Sequence, residues 1–290
     1  MMQNSTFQTE NMALVLEGGG MRTIFTVGVL DCFLDNNIHF PYMVCVSGGT
    51  SNGLSYKSKQ RGRALYSNTT LLTERPYIGI KTLLKKGRFI DMEFLFGEFT
   101  HKFYPFDFET FFNSPTRFEI VTTDCETGKA RYWEETKDSE RLIKIAKASA
   151  SLPMISPTVE IEGMTLSDGG MADSIPLERA FSQGFGKALV VLSQNKGFRK
   201  KTSRFRIPTW LSGYKHMSDL LYTRPERYNA QLEWVEQLEA EGKILVLRPE
   251  KPLKVSRLSK NVDDLQELYD EGYALALQLI TENKQRLGNE

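Results

Sequence analysis

Cysteine, histidine and long apolar runs are all scarce in this chain, and each scarcity removes a class of function. The three cysteines, Cys32, Cys45 and Cys125, are an odd set without a CxxC pair. That pattern argues against a disulfide framework and a zinc site, and it fits a reducing compartment. The three histidines, His39, His101 and His216, stand in polar or aromatic contexts with no motif around them. No segment approaches the roughly 20 apolar residues that span a bilayer. The opening stretch MMQNSTFQTENM has neither the basic nor the apolar region of a secretory leader. A soluble, cytoplasmic protein is expected, with at most a peripheral contact with a membrane. Net charge is scarce too: +1 over 290 residues gives no whole-molecule field to attract nucleic acid, so no nucleic-acid partner is expected and affinity for an anionic surface must come from a local patch.

With 40% hydrophobic residues, the chain can bury one substantial core or two small ones, and one α/β domain is expected. Apolar runs of strand length occur at Ala13–Leu16, Tyr42–Val46, Phe118–Val121, Ala188–Leu192 and Ile244–Leu247. Helical stretches separate them, which reads as a mostly parallel sheet. After the first run, Ile24, Val27, Val29, Leu30, Phe33 and Leu34 mark the apolar face of a helix. Residues 61–115 differ. They carry ten aromatics between Phe89 and Phe112, interrupted by Gly87, Gly97 and Pro105, and read as a helical insertion. Val262 to Leu287 reads as a helix with Asp263 and Asp264 in its first turn.

Three short motifs carry chemistry. In Cys45-Val46-Ser47-Gly48-Gly49, an apolar strand runs straight into small residues that open a helix. A nucleophile elbow needs that context: the serine is held in strained backbone with its hydroxyl exposed, and its neighbours two residues away must be small. Cys45 stands where glycine is usual. The same segment is compatible with Ser47 merely capping a helix. The second motif, Gly18-Gly19-Gly20-Met21-Arg22, lies between a strand and a helix, so several backbone N–H groups converge with the helix dipole behind them. Such a nest suits a ligand phosphate, an oxyanion or simply a tight turn. Thr23 occupies the last glycine position of the dinucleotide fingerprint, which therefore fails. The third motif, Asp168-Gly169-Gly170, follows a strand-like segment and precedes Asp173 to Glu178, read as a capped helix start with an early proline. A hydroxyl nucleophile needs a proton acceptor, and a partly buried carboxylate can serve in place of histidine.

Taken together, the glycine loop, the Ser47 elbow and Asp168-Gly169-Gly170 occur in the order and approximate spacing of the patatin-like phospholipases. The chain resembles that family over roughly residues 12–195, and VTTDCETG (Val121 to Gly128) and ASASLPMISP (Ala148 to Pro157) look like further family segments. The C-terminal part, 196–290, resembles the bacterial branch more loosely and is expected to pack on the same domain. The resemblance implies a three-layer α/β/α fold and a Ser–Asp dyad acting on acyl esters of lipids without metal or cofactor. Ser47 would be the nucleophile, Asp168 its base and Gly18, Gly19 and Gly20 the oxyanion hole. Arg22, Gly48, Gly49, Gly169 and Gly170 would support them, with Arg22 bracing the loop or attracting an anionic head group.

Two surfaces bear on substrate. The aromatic insertion would pack as core or form an acyl groove or lid, and packing is the favoured reading. The run Lys196 to Arg206 holds six basic residues interleaved with aromatics, suited to an anionic lipid surface or to a solvated loop. Two other functions remain open. One is acyl transfer to an alcohol or thiol through the same dyad, and the other is a phosphate- or nucleotide-binding module whose glycine loop holds the phosphate. Asp168 discriminates against the second, because a carboxylate there would repel a phosphate.

Overall fold

Runs of Val, Leu and Ile that lack polar alternation form stable strands only where both faces are covered, and helices cover both faces here. The structure, a computed structural model, describes residues 9–202 and 213–288. Its strands are β1 (Met12–Leu16), β2 (Tyr42–Val46), β3 (Arg117–Asp124), β4 (Ala130–Glu134), β5 (Val159–Ile161), β6 (Met164–Asp168), β7 (Lys187–Val191) and β8 (Ile244–Leu247). They form a single sheet in the order β5-β6-β3-β2-β1-β7-β8, with β4 also paired to β3. The pairs β1–β2, β1–β7, β2–β3 and β7–β8 are parallel. Alternate residues serve opposite faces: Leu14, Leu16, Met43 and Cys45 face one core, and Ala13, Val15, Val44 and Val46 the other. The result is the three-layer α/β arrangement expected from the sequence.

Register sets the site. β2 pairs with Arg117–Val121 of β3, and β4 pairs with residues 119–123 of the same strand. Because those stretches overlap, β2 and β4 must lie on opposite edges of β3. β6 pairs antiparallel with residues 122–124, overlapping β4, so it lies on the β2 edge. β2 and β6 therefore share one slot and run toward each other, with Val46 opposite Val121 and Asp168 opposite the next residue, Thr122. β6 is aimed there by the hairpin from β5, whose turn residues Glu162 and Gly163 both have positive φ, 52° and 75°, as a type I′ turn requires.

Two helices follow the motifs, α1 (Ile24–Asp35) and α2 (Gly48–Lys57). α1 is buried on nearly all sides rather than along one face, because the C-terminal helix Val262–Gly288 lies across it. Gly28 permits the close crossing: a Cβ there would sit 2.0 Å from the carbonyl oxygen of Tyr269. On the opposite face, the long helix Lys215–Ala240 packs Tyr228, Leu232 and Val235 into the second core. The segment read as an insertion holds short helices and a π-helical stretch, Phe94–Phe103. Gly97 lies inside that stretch rather than breaking it, while Gly87 ends the preceding helix, Ile80–Lys86, in the left-handed region.

Cys45, the side chain in place of the usual elbow glycine, is accommodated from the facing helix. A Cβ on Gly53 of α2 would lie 3.0 Å from the Cys45 sulfur and 2.9 Å from the Phe118 ring. In an exposed helix interior, glycine to alanine gains about 1 kcal/mol, but overpacking a core costs about 1–3 kcal/mol. Gly53→Ala should therefore lower the urea midpoint of unfolding, and adding Cys45→Ala should recover part of the loss. Independent, additive effects in that double-mutant cycle would show that the thiol and the helix do not share the space.

Candidate active site

A strand that ends against another strand in its own slot must leave the sheet abruptly. At Ser47 the backbone turns through φ 54° and ψ −121°, a region that a residue with a side chain occupies only under strain. Gly49, next but one, is forced by proximity: a Cβ would come within 2.7 Å of the Glu17 carbonyl oxygen. Ser149, at the end of the helix Ser139–Ser149, pins the turn. Its hydroxyl accepts from the Ser47 N–H at 2.9 Å and donates to the Val121 carbonyl at 2.7 Å.

At the tip of β6, Asp168 meets the serine directly. The Ser47 hydroxyl donates to Asp168 Oδ2 at 2.6 Å, and Oδ1 accepts the Gly170 N–H at 2.8 Å. Asp168 is 2% exposed. Burial pushes its carboxyl above the usual range, opposed by the Ser47 hydrogen bond and by the positive charge of Arg224. His39, His101 and His216 are exposed, and none lines the pocket around Ser47. Gly18, Gly19 and Gly20 do line it, together with Ser47, Asp168 and Arg224. The N–H of Met21 is taken by the Arg257 carbonyl at 3.1 Å, whereas no acceptor among the described residues engages those of the three glycines. Arg22 is buried, and its Nε donates to the Gly19 carbonyl at 3.3 Å; it braces the loop from within rather than lying on a helix surface.

Several residues of the site went unread in the sequence. Arg224 and Arg227 of the long helix donate to the carbonyls of Gly170 and of Met171 and Ala172, fastening the loop after Asp168. Tyr228 donates to Glu17 at 2.7 Å, whose other oxygen accepts the Ser193 N–H. Asp173 does not cap a helix. The helix begins at Leu177, with Pro176 at the cap position, and Asp173 is instead buried and accepts from Tyr132 and Gln231. Ser149 alone had a signal, since it lies in the segment Ala148 to Pro157.

An apolar chamber of about 150 Å³ opens beside Ser47 and runs under the aromatic segment, lined by Leu95, Phe96, Phe99, Phe106 and Leu258. Of these, Phe99 and Phe106 are at the same time buried members of the core. Packing and chamber wall are thus one feature rather than alternatives. Of the basic run Lys196 to Arg206, residues 203–206 lie outside the described residues. No described helix is long and apolar enough to cross a membrane.

The raised pKa of Asp168 has a consequence for stability. The native state holds the carboxyl proton more tightly than the unfolded chain, so stability falls as pH rises from the ordinary carboxylate range through the folded-state value. Asp168→Asn removes the buried charge and keeps the shape. At pH 7.5 it should stabilise the fold, because the cost of holding an ionised carboxylate in that buried position is then gone. The gain should vanish as pH falls toward 4, the usual range for aspartate. Urea melts of both proteins at two pH values check this, and a variant less stable at pH 7.5 would show that the ionised carboxylate is a net support.

Comparison with known proteins gives this arrangement its relatives. Residues 14–181 match the family described as patatin-like phospholipase, and residues 214–288 match a domain of unknown function, DUF6363. Uncharacterized protein YjjU of Escherichia coli (strain K12) is 28% identical over 275 residues, covering 92% of this chain and 76% of that protein. Among solved structures, VipD from Legionella pneumophila aligns with 96% of this chain and 68% of its own, at 10% identity and a TM-score of 0.47. The chain belongs to the patatin-like phospholipase family, and with it to the hydrolases of lipid esters in general.

Proposed function

We propose that the chain is a serine acyl hydrolase that cleaves carboxylic esters of lipids through Ser47 and Asp168. The observation that carries the reading is the 2.6 Å hydrogen bond between a serine at positive φ and a buried carboxylate, with no imidazole between them. In the first half-reaction, Ser47 Oγ attacks the carbonyl carbon while its proton passes to Asp168. The ester C–O bond then breaks, and the leaving alcohol takes the proton from Asp168. Water repeats the sequence on the acyl-serine, releasing the carboxylic acid and restoring the hydroxyl. Both halves need a carboxylate that accepts and returns a proton, and the burial that raises the Asp168 pKa serves that exchange.

The N–H groups of Gly18, Gly19 and Gly20 are the donors available to the oxyanion, where loss of one donor typically costs about 3–4 kcal/mol. The acyl chain occupies the apolar chamber beneath Phe96, Phe99 and Phe106. Asp168 beside Ser47 also argues against the glycine loop as a phosphate nest, since its charge would repel the ligand.

Ser47→Ala should abolish both fluorophosphonate labelling and turnover of p-nitrophenyl butyrate in a folded protein. Asp168→Asn should lower kcat by at least ~100-fold, the usual size of a general-base contribution, with KM little changed. Replacing His39, His101 and His216 together should leave kcat within a few-fold. In the wild-type pH profile, kcat/KM should fall on the acid side at a pH above the ordinary carboxylate range. A triple-histidine variant as impaired as Asp168→Asn would replace the dyad with a triad, and full turnover by Ser47→Ala would remove the nucleophile.

A further inference from the structure

On the outer side of the glycine loop lies an open groove of about 750 Å³ whose wall holds six cationic side chains and no carboxylate. Two of the six are compensated where they stand. Arg199 pairs with Glu236 at 2.6 Å, and Lys201 is exposed to water. The remaining four, Arg22, Lys200, Arg224 and Arg257, form no ion pair among the described residues. They come from distant parts of the chain, and each is held by the fold. Arg22 bonds the Gly19 carbonyl and Arg224 the Gly170 carbonyl, while the Arg257 backbone accepts the Met21 N–H. The Lys200 backbone is fastened at both its N–H and its carbonyl to Asn229, and its ammonium sits 3.1 Å from the centre of the Tyr228 ring.

Charges of one sign brought together by folding need a counter-charge. The carboxylates whose charge reaches these cations, Glu17 and Asp168, are committed to Ser193 and Tyr228 and to Ser47 and Gly170. Arg22, Arg224 and Arg257 against those two carboxylates leave one positive charge, and Lys200 adds a second when a bound anion draws a proton onto it. The repulsion is visible in Lys200, whose ammonium is pushed well below the usual lysine range by burial and then by Arg224. The groove also adjoins the reaction site. Arg224 and Arg257 line the Ser47–Asp168 pocket as well, and Arg257 and Leu258 reach the apolar chamber.

We propose that Arg22, Lys200, Arg224 and Arg257 form a subsite for a phosphomonoester carried by the alcohol portion of the substrate, so that the preferred substrates are acyl esters of a polyol phosphate. The proposal rests on the hydrolase reading above, and it names the substrate class of that same site. A phosphomonoester bears close to two negative charges at neutral pH, which matches the arginine excess together with a Lys200 that takes up a proton beside the dianion, whereas a zwitterionic head group does not. With the phosphate in the groove and the acyl chain in the chamber, the ester carbonyl lies at Ser47 between them. Asp168 is not on the groove wall, so its charge opposes this occupant less than it would one in the glycine loop, and three arginines outweigh it.

Water-soluble short esters separate this subsite from general attraction to an anionic membrane. The test compares glycerol phosphate monobutyrate with monobutyrin, both as monomers. Wild type should prefer the phosphate ester in kcat/KM by roughly 10-fold to 100-fold, mainly through KM, as charge-assisted hydrogen bonds imply. Lys200→Met and Arg257→Gln should each collapse that ratio toward one, Lys200→Arg should restore it, and heat melts verify folding. A ratio near one in a wild-type protein that turns over both esters and labels with fluorophosphonate overturns the subsite and leaves the hydrolase standing. A melting temperature raised by inorganic phosphate with no preference between the esters assigns the groove to free phosphate and likewise overturns it. Failure to turn over either ester or to label counts against the hydrolase itself.

Discussion

β3 runs for eight residues beside a β2 of only five, and the edge left over is filled by β6 arriving from the opposite direction. Neither strand can continue past the other, so both must turn where they meet. The residues at that meeting point are Ser47, strained at positive φ, and Asp168, sealed at 2% exposure. A carboxylate enclosed in this way is destabilised in its charged form, and it is stabilised again by the serine hydroxyl and the Gly170 N–H that the same collision supplies and by the charges of Arg224 and Arg257. Strain, desolvation and the short hydrogen bond are therefore one event in the sheet rather than three separate devices.

Such a junction would relax if the loops around it were loose, and the C-terminal part of the chain holds them. The long helix Lys215–Ala240 grips the turn after Asp168 through Arg224, Arg227 and Gln231 and reaches Glu17 through Tyr228. The segment around Arg257 holds the glycine loop by its backbone. The match of residues 214–288 to a domain of unknown function thus covers a stretch that lines the pocket of Ser47 and Asp168. Clamping loops with cations also concentrates positive charge beside the serine. One set of arginines thereby serves architecture and electrostatics together.

In the aromatic segment, core packing and chamber wall coincide. Phe99 and Phe106 are buried in the main core, and they also form the chamber wall. In the sequence, core and groove looked like alternatives because spacing reports that a residue faces inward and not whether the interior it faces is full.

What the sequence by itself determined was local and ordered: the apolar strands, the glycine loop, the small residues around Ser47 and the turn at Asp168. Each leaves a trace within a few residues, because strand burial, tight turns and elbow geometry constrain neighbours in the chain. Even so, the local reading of Asp173 as a cap failed, since Tyr132 and Gln231 compete for its carboxylate from elsewhere in the fold. Only the tertiary structure decided that β2 and β6 share a slot, that Gly53 makes room for Cys45, that α1 is buried all round, and that Arg22, Lys200, Arg224 and Arg257 line one groove. Those are contacts between residues far apart in the chain, set by register and helix crossing, and such contacts impose no period or spacing that a linear sequence displays.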